Sequence, residues 1–243
     1  MPTYFISDVH LGLGPRDAEK QKEDHLLAFL RAIRPATERL YIVGDLFDFW
    51  FEYGTVIPKG FHRTLAELQE FTDRGIPVEY LAGNHDFWMD DFFPMELGIR
   101  VHPDPFEVAI DGKRVFLHHG DGLAEKDIGY RFLKPVLRNR FAIRMYRWLH
   151  PDVGVRLARG SSRTSRAYTA AKDYGEQEAM AAFAAQKIRE GVDIVVMGHR
   201  HRPVQVEIGG GVYINLGDWI AHRTFAEMKD GTITLHTWDE PRR

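Results

Sequence analysis

Five short clusters in this 243-residue chain carry side chains suited to holding divalent cations. They are Asp8-Val9-His10, Gly44-Asp45-Leu46-Phe47-Asp48, Gly83-Asn84-His85-Asp86, His119-Gly120-Asp121 and Gly198-His199-Arg200-His201. The chain has no cysteine, so any metal site must use imidazole, carboxylate and amide oxygen. Those donors suit Mn2+, Fe2+ or Zn2+. A carboxylate can bridge two cations, because its two oxygens offset their mutual repulsion. Two ions roughly 3.5–4 Å apart can activate water and neutralise charge on a phosphoryl group in displacement. The D-x-H and H-x-H spacings put both members of a pair on one side if the backbone is extended. Taken singly, each cluster has an ordinary explanation: a helix cap for Asp45, an Asn-Gly turn around Asn84, exposed strand-end histidines at 199 and 201. Five in succession, each behind an apolar run, are not explained that way.

The elements that must position these residues are legible as buried strands ending in loops: Tyr4–Val9, Leu40–Val43, Val78–Leu81, Val115–His118 and Ile194–Met197. Helical patterns at His25–Ile33, Phe61–Arg74 and Glu176–Arg189 separate several of them. This alternation predicts an α/β fold with a largely parallel core, whose ligand loops converge at the carboxyl ends of the strands. Four further runs, Val204–Ile208, Val212–Asn215, Phe225–Met228 and Ile233–Thr237, are split by Gly-rich or Asp-Gly turns and predict hairpins. Together they predict a mixed-sheet α/β sandwich, with residues 1–243 in one domain.

Residues 125–170 break the rhythm and read as a helical insertion. Phe141, Met145, Trp148 and Leu149 fall at helical spacing among Arg140, Arg144 and Arg147, and Pro135 and Pro151 are placed to open short helices. From Glu125 to Arg166 there are 11 Lys/Arg against 3 Asp/Glu, in a chain of net charge −3. That asymmetry predicts an anionic partner for this segment. No base-reading motif accompanies the basic patch, so nucleic acid is not the expected partner. No apolar run reaches the roughly 18 residues of a spanning helix. The N-terminus runs directly into a strand-like segment with no basic leader, which makes the cytoplasm the expected location.

The order of the clusters resembles the calcineurin-like metallophosphoesterase family, whose motifs run D-x-H, G-D-x-x-D, G-N-H-[DE], a later His and G-H-x-H. The resemblance spans Asp8 to His201 and implies a four-layer α/β/β/α sandwich of mixed sheets. It implies one metal held by Asp8, His10, Asp45 and His201 and a second by Asp45, Asn84, His119 and His199, with Asp45 bridging. It also implies that His85 acts on the leaving group or phosphate, that Asp86 orients His85, and that Asp48 supports the site without binding metal. Of the neighbours His118 and His119, the one before Gly120-Asp121 is the expected ligand, with His118 facing the other way.

Within that family the chain is similar to the UDP-2,3-diacylglucosamine diphosphatases of lipid A synthesis. The similarity rests on Gly44-Asp45-Leu46-Phe47 with Trp50, His119-Gly120-Asp121 followed by Asp127 and Gly129-Tyr130, and the basic insertion. Gly198-His199-Arg200-His201-Arg202-Pro203 and Asn215-Leu216-Gly217-Asp218-Trp219 complete it. It implies a lipid-linked nucleotide-sugar substrate, two divalent ions (Mn2+ foremost), and peripheral contact with the inner face of the inner membrane. Asp127 and Tyr130 would touch the sugar or nucleotide, Ser161, Arg163 and Arg166 a phosphate, and Asn84 and His199 the substrate as well as metal. The chain departs from the group's best-known members at His85, where they carry Arg.

Overall fold

The computed structural model describes residues 1–123, 136, 138–157, 160 and 176–239. Two mixed sheets form its centre. The first runs in the order β11 (Thr232–Thr237), β10 (Thr224–Lys229), β1 (Thr3–Ile6), β2 (Arg39–Val43), β3 (Val78–Leu81) and β4 (Arg100–His102). The second runs β5 (Phe106–Ile110), β6 (Lys113–His118), β7 (Ile194–Met197), β9 (Gly211–Asn215) and β8 (Val204–Ile208). Strands β1 to β4 are mutually parallel, as are β6, β7 and β9, while the outer hairpins pair antiparallel.

Alternation along the central strands sorts their side chains into three cores. Tyr4, Ile6, Leu40 and Ile42 pack with Leu26, Phe29 and Leu30 of α1 (Arg16–Ile33) and with Leu68 and Phe71 of α2 (His62–Asp73). Phe5, Tyr41 and Val43 face the other way and meet Val115, Leu117, Ile194, Val196 and Ile214 between the sheets. Val195, Met197 and Tyr213 point outward again, onto Met180, Ala184 and Ile188 of a helix spanning Glu176–Arg189. The layers are therefore helix, sheet, sheet, helix, and strands apolar on both sides are what such burial requires.

The expected strands and helices outside the insertion are present, with most boundaries shifted by a few residues and one by nine. The strand after Met1 ends at Ile6 rather than Val9, and α1 begins at Arg16 rather than His25. The first turns of α1 carry charge instead of apolar residues, with Asp17 and Glu19 favourably placed at its N-terminus. Two strands went unread: β4 has only three residues, and β5 alternates inward at Phe106, Val108 and Ile110.

Of the expected insertion, a helix α4 (Arg140–Tyr146, between α3 at Phe92–Glu96 and the Glu176–Arg189 helix, here α5) and a helical stretch over 151–157 opened by Pro151 are described. Asn139 caps α4 through its side-chain oxygen, which accepts from the N–H groups of Phe141 and Ala142. Pro135, Asp127, Tyr130, Ser161, Arg163 and Arg166 lie outside the described residues.

Candidate metal centre

The loops leaving β1 and β2 run side by side. The N–H groups of Asp8, His10 and Leu11 donate to the carbonyls of Gly44, Asp45 and Leu46, and that of Asp48 returns to Leu11. Asp8 lies two residues past β1, Asp45 two past β2, Asn84 three past β3, His119 one past β6 and His199 two past β7. All seven expected ligands thus meet where the carboxyl ends of the two sheets face each other.

Five of the seven do not reach it on extended backbone. Asp8, His10, Asp45, His199 and His201 all have positive φ, at 53°, 49°, 53°, 70° and 54°. The strand alternation expected to align Asp8 with His10 and His199 with His201 is therefore replaced by tight left-handed turns. Such a conformation costs a non-glycine residue about 1–2 kcal/mol, least for short polar side chains. Backbone crowding is relieved at two glycines. A Cβ on Gly83 would stand 2.1 Å from Asp45 Oδ1, and one on Gly198 would stand 2.3 Å from Asp8 Oδ2.

Three groups of donors emerge among the described residues: two consist of expected ligands, Asp8, His10 and His201, and Asp45, His119 and His199, and a third joins His10 to Asp48 and His85. In the first, the Nε2 atoms of His10 and His201 face each other at 3.0 Å, with Asp8 Oδ1 3.7 Å and 3.3 Å from them. In the second, His119 Nε2 lies 3.2 Å from Asp45 Oδ2 and 3.0 Å from Asn84 Oδ1. Asp45 Oδ2 is also 3.6 Å from His10 Nε2, so one oxygen stands between the groups. An ion bound at ~2.1 Å holds neighbouring ligand atoms roughly 3.0–3.4 Å apart, close to these spacings.

Polar accounting supports the same fit. Asp8 is 0% exposed; its Oδ2 accepts from the His199 N–H at 2.8 Å, while its Oδ1 is buried without a hydrogen-bond partner. A buried carboxylate oxygen with no hydrogen bond and only the His10 and His201 rings beside it is costly unless positive charge meets it. His119 Nδ1 lies 2.9 Å from the Val43 carbonyl, which can only accept, so Nδ1 carries the proton and Nε2 faces the site.

The charges demand compensation. Burial opposes ionisation of Asp8 and Asp45, yet the surrounding histidines hold Asp8 well below the usual carboxylate range and lower Asp45 too. Burial would lower His10, but Asp48, Asp8 and Asp45 outweigh it and raise the ring to about 9. His119 is raised to about 10, where Asp45 and Asp8 overcome the cost of burial. Without metal, protons on histidine supply the positive charge; a divalent cation does the same work on the same atoms.

His85 sits beside this centre, its ring edge-on to His10 with centroids 4.8 Å apart. Its Nδ1 donates to the Asp48 carbonyl at 3.0 Å, and the Asp48 carboxylate approaches to 3.9 Å. Burial lowers its pKa. The expectation that Asp86 orients His85 finds a different geometry. The Asp86 carboxylate accepts from the N–H groups of Gly83, Asp45 and Phe47 and from the Tyr80 hydroxyl, so it ties together the loops that carry Asp45 and Asn84. His118, as expected, turns away from the centre and packs edge-on against Phe183 of α5.

Other residues around the centre escaped the sequence reading. Lys22 donates to the His10 carbonyl at 2.6 Å, and Glu19 accepts from the N–H groups of Gly12 and Gly14. Both lie in a charge-rich helical turn whose pattern says only that it is solvated. Tyr80 sits mid-strand and reads as an ordinary core aromatic.

Residues 1–203 match the family model described as calcineurin-like phosphoesterase. The chain is 33% identical to a UDP-2,3-diacylglucosamine hydrolase of Porphyromonas gingivalis, over 98% of this chain and 97% of that protein. It is 30% identical to a protein of the same name from Stenotrophomonas maltophilia, over 98% of both. Among solved structures, one described as a novel archaeal phosphodiesterase aligns over 98% of this chain and 100% of its own, at 15% identity and TM-score 0.49. The chain belongs to the calcineurin-like phosphoesterase family and is a metal-dependent phosphoester hydrolase.

Proposed function

We propose that the substrate is UDP-2,3-diacylglucosamine, whose diphosphate bond is hydrolysed to 2,3-diacylglucosamine 1-phosphate and UMP. The observation that carries this reading is an exposed apolar and basic face next to a phosphoesterase centre. Phe141, Met145 and Trp148 are 72%, 56% and 84% exposed, with Arg144 exposed among them and Arg156 exposed in the 151–157 stretch. A hydrolase of small soluble esters has little use for such a face, whereas acyl chains and a membrane surface match it. Near-full-length similarity to proteins named for this activity supports the same reading.

In this proposal Asp8, His10, Asp45 and His201 hold one divalent ion, and Asp45, Asn84, His119 and His199 the other, with Mn2+ the preferred metal. When bound, the pair supplies Lewis-acid polarisation of the phosphoryl oxygens and lowers the pKa of the attacking water. Asp45 fixes the spacing of the two groups through Oδ2, while its Oδ1 is anchored by the His85 N–H at 2.9 Å. His85, held by the Asp48 carbonyl, hydrogen-bonds the phosphate or the departing oxygen. Asp86 and Tyr80 keep the Asp45 and Asn84 loops in register. The 125–170 insertion serves as the acyl-chain and membrane-facing lid, and Asp127, Tyr130, Ser161, Arg163 and Arg166 bind the head group. The enzyme then works at the cytoplasmic face of the inner membrane without spanning it; among the described residues no helix is long and apolar enough to cross one.

The test is an Mn2+-supplemented assay comparing the lipid-linked nucleotide with bis(p-nitrophenyl) phosphate. Turnover of the lipid substrate with release of UMP is the expected result; turnover of the soluble diester alone would refute the substrate assignment.

A further inference from the structure

The loops that carry Asp45 and His85 continue outward as a paired ribbon. Phe51 bridges Trp88, the Trp50 and Glu52 N–H groups donate to the carbonyls of His85 and Trp88, and Glu52 accepts from the N–H groups of Asp90 and Phe92. The Trp50 indole N–H donates to the same carboxylate at 3.0 Å. This ribbon is therefore a stiff extension of the metal centre.

Helix α4 is seated on it by two consecutive residues. The ring of Tyr146 packs on Phe51 and Trp88, with centroids 4.7 and 4.9 Å away. Its hydroxyl donates to the Gly154 carbonyl at 2.6 Å, tying α4 to the 151–157 stretch. Arg147 grips both strands of the ribbon: its Nε donates to the Glu52 carbonyl at 3.2 Å, and its Nη2 pairs with the Asp90 carboxylate. A third tie lies upstream, where Arg138 donates to the Pro103 carbonyl at 2.9 Å over the ring of Phe87. Gly154 admits the close approach, since a Cβ there would stand 2.3 Å from the Tyr53 hydroxyl. Met145 directly precedes and Trp148 directly follows the anchored pair, Phe141 lies about one helical turn before Met145, and all three stay exposed.

We propose that Tyr146 and Arg147 are positioning residues, which hold the exposed apolar face of α4 at a fixed place relative to the metal centre and so serve amphiphilic phosphodiester substrates selectively. The inference rests on the lipid-linked reading above. A substrate whose acyl chains lie on α4 and whose diphosphate lies at Asp45 spans the seat, so displacing the helix misplaces one end relative to the other. A small diester touches only the centre and is indifferent to the seat. Arginine suits the position because its planar fork reaches two acceptors at once, which a lysine ammonium cannot reproduce.

The experiment uses the full-length protein with Mn2+ and compares wild type with Arg147→Met, Arg147→Lys and Gly154→Ala. Steady-state kcat and KM are measured for UDP-2,3-diacylglucosamine in mixed micelles and for bis(p-nitrophenyl) phosphate, alongside amide hydrogen exchange across 141–146. For Arg147→Met and Gly154→Ala, kcat/KM for the lipid substrate should fall at least tenfold, mostly through KM. The diester should stay within twofold, exchange in α4 should quicken, and Arg147→Lys should fall between. Equal losses on both substrates, or unchanged lipid kinetics with quickened exchange, would overturn the proposal. A wild-type enzyme that cleaves the diester but not the lipid-linked nucleotide overturns the substrate reading instead, and the selective role with it. Exchange unchanged from wild type in Arg147→Met and Gly154→Ala would remove the seat as well.

Discussion

The closest backbone approach at the metal centre allows a quantitative test. In Gly83→Ala the new methyl would lie 2.1 Å from Asp45 Oδ1 and 2.5 Å from the Asp45 backbone nitrogen, against an ordinary contact of 3.4 Å or more. The carboxylate must retreat by about 1.3 Å, the difference between 3.4 and 2.1 Å, and side-chain rotation alone is not enough because the backbone nitrogen is also too close. Oδ1 is the atom held by the His85 N–H at 2.9 Å, so the retreat disturbs the loop bearing the candidate acid together with the proposed shared ligand. A misplacement of about 1 Å costs roughly 100-fold in rate, or about 2.7 kcal/mol of transition-state stabilisation. Overpacking costs a further 1–3 kcal/mol of stability, roughly, which a domain of ordinary stability survives. The assay is hydrolysis of bis(p-nitrophenyl) phosphate under Mn2+ titration, with thermal melting to confirm folding. Gly54→Ala is the control, because a Cβ there meets nothing within 4 Å; its activity should stay within about twofold, as surface substitutions usually do. A folded Gly83→Ala protein with turnover within threefold of wild type would refute the assignment of Asp45 as the shared ligand.

Asp45→Asn keeps the side-chain volume but removes the charge between the two donor groups; activity should drop by about three orders of magnitude or more, with metal content measured by elemental analysis falling in parallel, and full occupancy with full activity would contradict the site. Mn2+ affinity should rise with pH between 6.5 and 8.5, because His10 and His119, raised to about 9 and 10 without metal, must release protons on binding; calorimetry showing neither proton release nor a pH trend would count against it. The sign reverses for the metal-free protein: those raised histidines contribute stability that is complete below about pH 6.5 and lost as pH climbs through 9 to 10, so its melting temperature should be lower at pH 10 than at pH 6.5. Tyr80→Phe leaves the Asp86 carboxylate without its hydroxyl donor and should cost about 1–3 kcal/mol, a fall of roughly 2–12 °C in melting temperature for a chain of this size; an unchanged melting curve would show that Asp86 is satisfied without it.

Much of the architecture is written in local pattern. β3, β7 and β8 match their expected bounds because an apolar run flanked by Gly or polar residues reports a strand directly. The side chains that converge at the centre are equally legible, since their types are rare in apolar surroundings and their order is informative. What escaped was whatever depends on partners distant in sequence. The left-handed turns at Asp8, His10 and Asp45 arise from the pairing of two loops 36 residues apart, as in the Asp8 to Gly44 hydrogen bond. No pattern within either loop reports that. Asp86 offered two carboxylate oxygens beside His85 in sequence, yet Tyr80 and three backbone N–H groups claim them. The charged first half of α1 hid Glu19 and Lys22 for a similar reason: nothing in a solvated helix turn announces the loop it braces.

The strained turns also bear on how a cation is captured. Because folding itself winds Asp8, His10, Asp45, His199 and His201 into place, little conformational entropy remains to be lost when an ion arrives. Loading is then closer to docking into a rigid receptacle than to the coupled ordering of a metal-dependent mini-domain. It should leave the circular dichroism spectrum almost unaltered and draw its driving force from dehydration and proton release rather than from chain collapse.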